Sequence, residues 1–145
     1  MGNAEKTYKF VVPIEPFVQQ RPVTFMKNGR PITFVPSKPQ EKDLKKVLRQ
    51  LFQIPIPKEN KLKLTCIFYR VANRGDASNY LKGFEDACNE IVWEDDSQIY
   101  DERCIKRIDK EFPRTEFYIE PYNEVESLKE FEAKDISIKG EKGED

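Results

Sequence analysis

The sequence predicts one small α/β (α+β) domain: a mixed β-sheet, two main helices and a basic β-hairpin. Three observations carry this. Apolar residues keep helical spacing over 39–52 and 78–91. They alternate, with β-favouring content, over 7–16 and 61–70. Asn28-Gly29 separates two apolar-rich runs, as a two-residue hairpin turn with positive φ at both positions requires. A length of 145 residues suits a single domain with a modest core.

The first strand, TYKFVVPIEP, ends at prolines. The hairpin VTFMK-NG-RPITF spans 23–34 and, with its flanks, carries Arg21, Lys27, Arg30 and Lys38. Pro31 cannot donate to a ladder, so the ribbon reads as loose and edge-like. Ser37 or a near neighbour can cap the next helix, and Pro39 suits an early helical position. Leu44, Val47, Leu48, Leu51 and Phe52 form its apolar face. In the second helix Tyr80, Phe84, Ala87, Cys88 and Ile91 face the core, while Asn79, Lys82 and Asp86 share the polar side. WEDDSQ, residues 93–98, reads as a turn, and QIYDERCIKRIDKEF and TEFYIEPY read as two closing strands. Residues 1–121 form the domain. Residues 122–145 form a charged tail, with a short helix in EVESLKEFEAK and a disordered end in IKGEKGED.

Composition removes several chemistries. Histidine is absent, which excludes Ser-His-Asp triads, Cys-His dyads and His-ligated zinc. Cys66, Cys88 and Cys104 are widely spaced and lack a CxxC, so reduced, packed thiols in a cytoplasmic protein are expected. MGNAEKTYKF lacks the apolar stretch of a secretory signal, and no apolar run reaches membrane-spanning length. The net charge of −1 conceals a gradient: residues 1–60 carry +6, 61–120 carry −3 and 121–145 carry −4. A basic half beside an acidic centre suits binding a polyanion and bringing a cation to it, although ordinary surface charge gives the same profile.

The residues that can carry chemistry sit between the second helix and the turn after it. Asp76 falls between a strand end and a helix start, where it either serves a site or caps the helix. Asp95 and Asp96 lie one helix later, and the chain can fold back to bring the acidic spots together. Close carboxylates raise one another's pKa unless a cation intervenes, and Mg²⁺ or Mn²⁺ prefers such oxygen ligands. A solvated acidic turn is the alternative. Lys82 can hold a phosphate, or pair with Asp86 at i+4. The calcium-loop, P-loop and dinucleotide-fold patterns are all absent.

Taken together, RGDASNYLKGFEDACNEIVWEDDSQI (74–99) resembles the signature of the RusA family of Holliday-junction resolvases: D-x-D-N-x-x-K, a helix ending in D-A, an apolar pair, then D-D-x-Q-[IV]. Asp76, Asn79, Lys82, Asp86-Ala87, Val92-Trp93, Asp95-Asp96 and Gln98-Ile99 match. QQRPVTFMKNGRPITFVPSKP (19–39) is similar to that family's basic region. The resemblance implies a RusA-like fold and a homodimeric, Mg²⁺- or Mn²⁺-dependent endonuclease for branched DNA, the four-way junction, acting in recombination and repair. It implies catalytic Asp76, Asp96 and Lys82, metal held by Asp76 and Asp96 with Asp95 beside them, and DNA contacts from Arg21, Lys27, Arg30, Lys38, Arg74 and Asn79. Ser78 stands where the family has a second aspartate, so the metal site loses one carboxylate. A weak or inactive junction-binding protein of the same fold is therefore a second reading, and a protein-interaction module a third.

Overall fold

The computed structural model describes residues 6–129. Its strands are β1 (Tyr8–Val12), β2 (Val23–Lys27), β3 (Arg30–Phe34), β4 (Leu62–Arg70), β5 (Ile99–Ile108) and β6 (Arg114–Pro121). The helices are α1 (Lys38–Leu51), α2 (Ala77–Cys88) and α3 (Glu124–Lys129), with one 3-10 turn at Asp96–Gln98. The four-stranded sheet has the order β1-β6-β4-β5, and β2-β3 form a separate ribbon. β4 and β5 run parallel with α2 as their crossover, while β6 runs antiparallel to both β1 and β4. The sheet is mixed, as the sequence predicts, and the domain is α+β. No helix among the described residues is long and apolar enough to cross a membrane.

One sheet face carries the core. Alternation along β4 buries Leu62, Leu64, Cys66 and Phe68, and Phe117 and Ile119 of β6 lie beside them. Leu44 and Leu48 of α1 and Tyr80, Phe84, Ala87 and Cys88 of α2 cover that face. Their spacing puts them on one stripe of each helix. Cys66 and Cys88 are buried thiols and Cys104 is half-buried, all unpaired.

Several boundaries differ from the sequence expectation, each for a local reason. β1 stops at Val12, where Pro13 intervenes and the Ile14 amide turns back to the Val12 carbonyl at 2.8 Å. α2 stops at Cys88 rather than continuing to 91. Glu90 adopts φ 73°, and the Val92 amide closes the turn onto the Cys88 carbonyl at 2.8 Å. β5 ends at Ile108, because the Asp109 carboxylate accepts the Glu111 and Phe112 amides at 3.1 Å each and begins a turn. The hairpin turn has φ 52° at Asn28 and 76° at Gly29, the conformation that dipeptide predicts. Every residue from Arg21 to Phe34 is exposed. Of the tail helix, Glu124–Lys129 is present; the rest of that expectation, and the disordered end, lie outside the described residues.

Candidate functional site

β4 delivers the chain to a loop, 71–75, that presents the start of α2. Gly75 has φ +75°, and a Cβ there would meet Val18 Cγ2 at 3.0 Å and the Tyr80 hydroxyl at 3.1 Å. Only glycine suits that position. The loop is held from two sides. The Tyr80 hydroxyl donates to the Arg74 carbonyl, and Lys106 Nζ donates to the Gly75 carbonyl at 2.8 Å and Asn73 Oδ1 at 3.2 Å.

Asp76 follows at the N-cap position with extended backbone (φ −94°, ψ 147°). Its carbonyl accepts the Asn79 and Tyr80 amides at 3.0 and 3.3 Å, but its side chain makes no capping bond. An N-cap aspartate ordinarily accepts such an amide. Here the carboxylate stands exposed, with Ser78, Asn79 and Lys82 exposed on the first turns of the same helix. Lys82 Nζ lies 3.9 Å from Asp86, which also accepts Gln19 Nε2 at 2.8 Å. Arg74 is exposed two residues before Asp76.

At the other end of α2, the WEDDSQ turn sends its three acids to different partners. Glu94 Oε1 accepts the Lys58 amide at 2.8 Å. Asp95 caps the 3-10 turn: its side chain accepts the Ser97 amide at 3.0 Å while Gln98 Oε1 accepts the Asp95 amide at 2.9 Å. The Ser97 hydroxyl and amide hold the Asp95 carboxyl below the usual range. Gln98 is buried, and its Nε2 reaches the carbonyls of Pro57 at 2.8 Å and Asn60 at 3.0 Å, tying the turn to the loop before β4. Asp96 Oδ1 accepts the indole N–H of fully buried Trp93 at 2.6 Å.

Asp96 has acidic company, of which sequence reasoning missed Glu85 and Glu102. Partial burial pushes its carboxyl up, and the charges of Asp86, Asp95 and Glu102 act in the same direction against the Trp93 bond. Glu85 of α2 is pushed up to about 9 by burial, by a hydrogen bond with Glu102 of β5 and by the charges of Glu102, Asp96 and Asp86. Glu85 Oε2 is buried without a hydrogen-bond partner. One signal for Glu85 was present in the sequence. It sits four residues after Leu81 and three before Cys88, both buried, so it falls on the inner stripe of α2.

The sign of the Glu85 shift gives a test. Its folded pKa exceeds its unfolded value, so the folded state holds the extra proton between about 4.5 and 9 and stability falls as pH rises through that window. Glu85→Gln, measured by thermal melting in a chelator, is expected to flatten this slope and melt a few degrees higher than wild type near pH 9. A melting curve that tracks wild type at every pH would contradict the assignment.

The structure thus divides the predicted site residues between two places. Asp76, Ser78, Asn79, Lys82 and Arg74 gather at the start of α2; Asp95 and Asp96 lie beyond its end. Asp86, whose charge Asp96 senses, is ten residues after Asp76, about 15 Å along the helix axis. Among the described residues, no three His, Cys, Asp or Glu side chains converge into a ready set of metal ligands. Arg21, Lys27 and Arg30 are exposed on and beside the β2–β3 ribbon, and Lys38 is exposed at the start of α1.

A small mixed-sheet domain that displays Asp76, Lys82 and Arg74 exposed at the start of one helix, with further cations on a separate ribbon, carries groups of the kind that contact phosphate esters. The model of the endodeoxyribonuclease RusA family matches residues 13–120, which include every residue named above as a site candidate. The chain belongs to that family of endodeoxyribonucleases. It is also similar to "Uncharacterized protein YqaN" of Bacillus subtilis (strain 168), 29% identical in an alignment 135 positions long, with 77% of this chain and 94% of that protein covered.

Proposed function

We propose that this chain is a metal-assisted endonuclease that resolves four-way DNA junctions by paired, symmetric nicks. The observation that carries the reading is the exposed Asp76 carboxylate. It stands at the N-terminus of α2, makes no capping bond, and has Asn79, Lys82 and Arg74 nearby. Family membership supplies the class of chemistry.

The donor chemistry fits a hard divalent cation. Asp96 stands among carboxylates whose charges disfavour one another, and the carboxylates and the Ser78 hydroxyl offer the oxygen donors such an ion prefers. Asp76 and Asp96 would hold the ion, with Asp95 beside them and Ser78 offering a hydroxyl. Within one chain α2 separates Asp76 from Asp96, so a site using both takes them from two copies. A homodimer meets that requirement. When bound, Mg²⁺ or Mn²⁺ supplies Lewis-acid activation of the phosphodiester. The protein's own groups do the rest. Lys82 and Asn79 orient the scissile phosphate, and the uncapped amides at the start of α2 favour an anion there. Arg21, Lys27, Arg30, Lys38 and Arg74 grip the backbone, giving salt-sensitive binding that reads shape more than sequence. Phe25, Met26 and Phe34 lie exposed on the ribbon, Met26 at 66%, where they can wedge at the branch.

Binding tests the reading first. In a chelator, a labelled four-way junction should shift at lower protein concentration than a linear duplex of the same sequence; equal indifference to both would contradict it. A catalytically weak junction binder remains the second reading, and Ser78 is the observation that favours it. Ser78→Asp restores a carboxylate two residues after Asp76 and should lower the Mg²⁺ needed for half-maximal nicking roughly tenfold. No change in that requirement would mean that another group already serves the position.

A further inference from the structure

A cleft of about 600 Å³ opens where β4 and β5 end, on the exposed side of β5 at the sheet edge. Arg70, Asn73, Arg74, Ile105, Lys106 and Arg107 are among its lining residues, and no carboxylate is. Four cations in one cleft repel one another, so their partners decide what the cleft can hold. Arg70 is engaged: it lies 3.7 Å from Glu15, donates to the Pro16 carbonyl and stacks over the Tyr80 ring at 5.0 Å. Lys106 bonds only the neutral oxygens of Gly75 and Asn73, which leaves its charge uncompensated. Arg74 and Arg107 are exposed and have no ion-pair partner among the described residues.

We infer that this cleft seats the phosphodiester backbone of a DNA strand, with Arg74 and Arg107 as its phosphate contacts on opposite walls. The inference rests on the DNA-cutting reading above and adds the outer edge of β5 to the DNA-binding surface. Two features select a strand over a small apolar ligand. The cleft is open and lined by charge, and its loop wall, 72–74, runs through Gly75 into Asp76. A strand lying in it reaches the start of α2. Lys106 acts as a positioning residue: its two hydrogen bonds fix the loop wall that carries Arg74. The charges on β5 also discourage another strand from pairing with its open edge.

The test is the salt dependence of binding, measured in a chelator with a four-way junction, a linear duplex and a single strand. Arg107→Gln is expected to weaken junction binding about fivefold. It should also make the log–log salt slope shallower by about 0.9 if the strand is held as duplex, or about 0.7 if held single-stranded. Arg74→Gln should do the same, the double variant should sum the two changes, and Arg107→Lys should restore the slope. Lys129→Gln, on α3, should change neither quantity. Arg107 is exposed on an edge strand, so its truncation leaves the core intact, and an unchanged melting temperature checks this. Wild-type slopes in both Arg74→Gln and Arg107→Gln would overturn the inference and remove Arg74 from the backbone contacts named above, while junction binding through the ribbon cations and nicking at Asp76 would still stand. A wild-type protein that binds none of the three DNAs would overturn both the inference and the functional reading.

Discussion

Asp76→Asn is expected to reduce junction nicking on the order of 100-fold or more while leaving junction binding in chelator nearly unchanged. Charge stabilisation by a held cation is worth several kcal/mol, and each ~1.4 kcal/mol is tenfold in rate. The fold should not suffer. The Asp76 side chain caps nothing, so the substitution removes charge without removing a helix bond. Asp76→Ala separates the site reading from the capping reading, in which it costs about 1 kcal/mol of stability, whereas Asp76→Asn costs little because asparagine caps as well, and neither lowers a specific rate. Single-turnover nicking and thermal melting, run side by side, distinguish them. A stable variant that still nicks at the wild-type rate would remove Asp76 from the mechanism.

Trp93→Ala is expected to have the largest effect on stability, about 3–5 kcal/mol. Trp93 is fully buried and joins the core of α2 and β4 to the turn that holds Asp96. Its backbone also bridges Ile56 and Asn89, so the side chain is pinned at the junction of two loops. A loss of that size is a large share of a small domain's total stability and should appear as a fall in the urea midpoint. Trp93→Phe separates packing from orientation. It keeps most of the ring volume but removes the N–H that holds Asp96 at 2.6 Å. That variant should fold with a smaller loss of stability yet nick junctions more slowly. Equal stability of Trp93→Ala and wild type would mean that the turn is not anchored through this ring.

The parts that were legible in the sequence are the parts governed by local chemistry. Asn28-Gly29 announced the hairpin because few other residue pairs accept its two positive φ angles. The inner stripe of α2 was legible from spacing. Its early end was not, because the left-handed Glu90 carries none of the usual marks of a helix stop. The role of Asp95 was half-written: Asp95 followed three residues later by Gln98 is a capping-box pattern, and the structure uses it as one. The parts that were hidden depend on strand register. Glu85 meets Glu102 only because β4 and β5 run parallel, with Leu64 opposite Glu102 and α2 above. Lys106 reaches Gly75 across 31 residues of chain, and no local pattern links them. The same crossover keeps Asp76 and Asp96 at different ends of one helix, which residue spacing alone could not tell.

Cutting of branched DNA at paired positions, as proposed above, would leave its record in the nicks themselves. The most direct measurement labels each strand of a four-way junction in turn, adds Mg²⁺, and maps every nick, with a linear duplex of the same sequence alongside. Nicks are expected at symmetric positions in two strands of like polarity, with none in the duplex and none once the ion is chelated. An intact junction under these conditions, or equal cutting of junction and duplex, would contradict it.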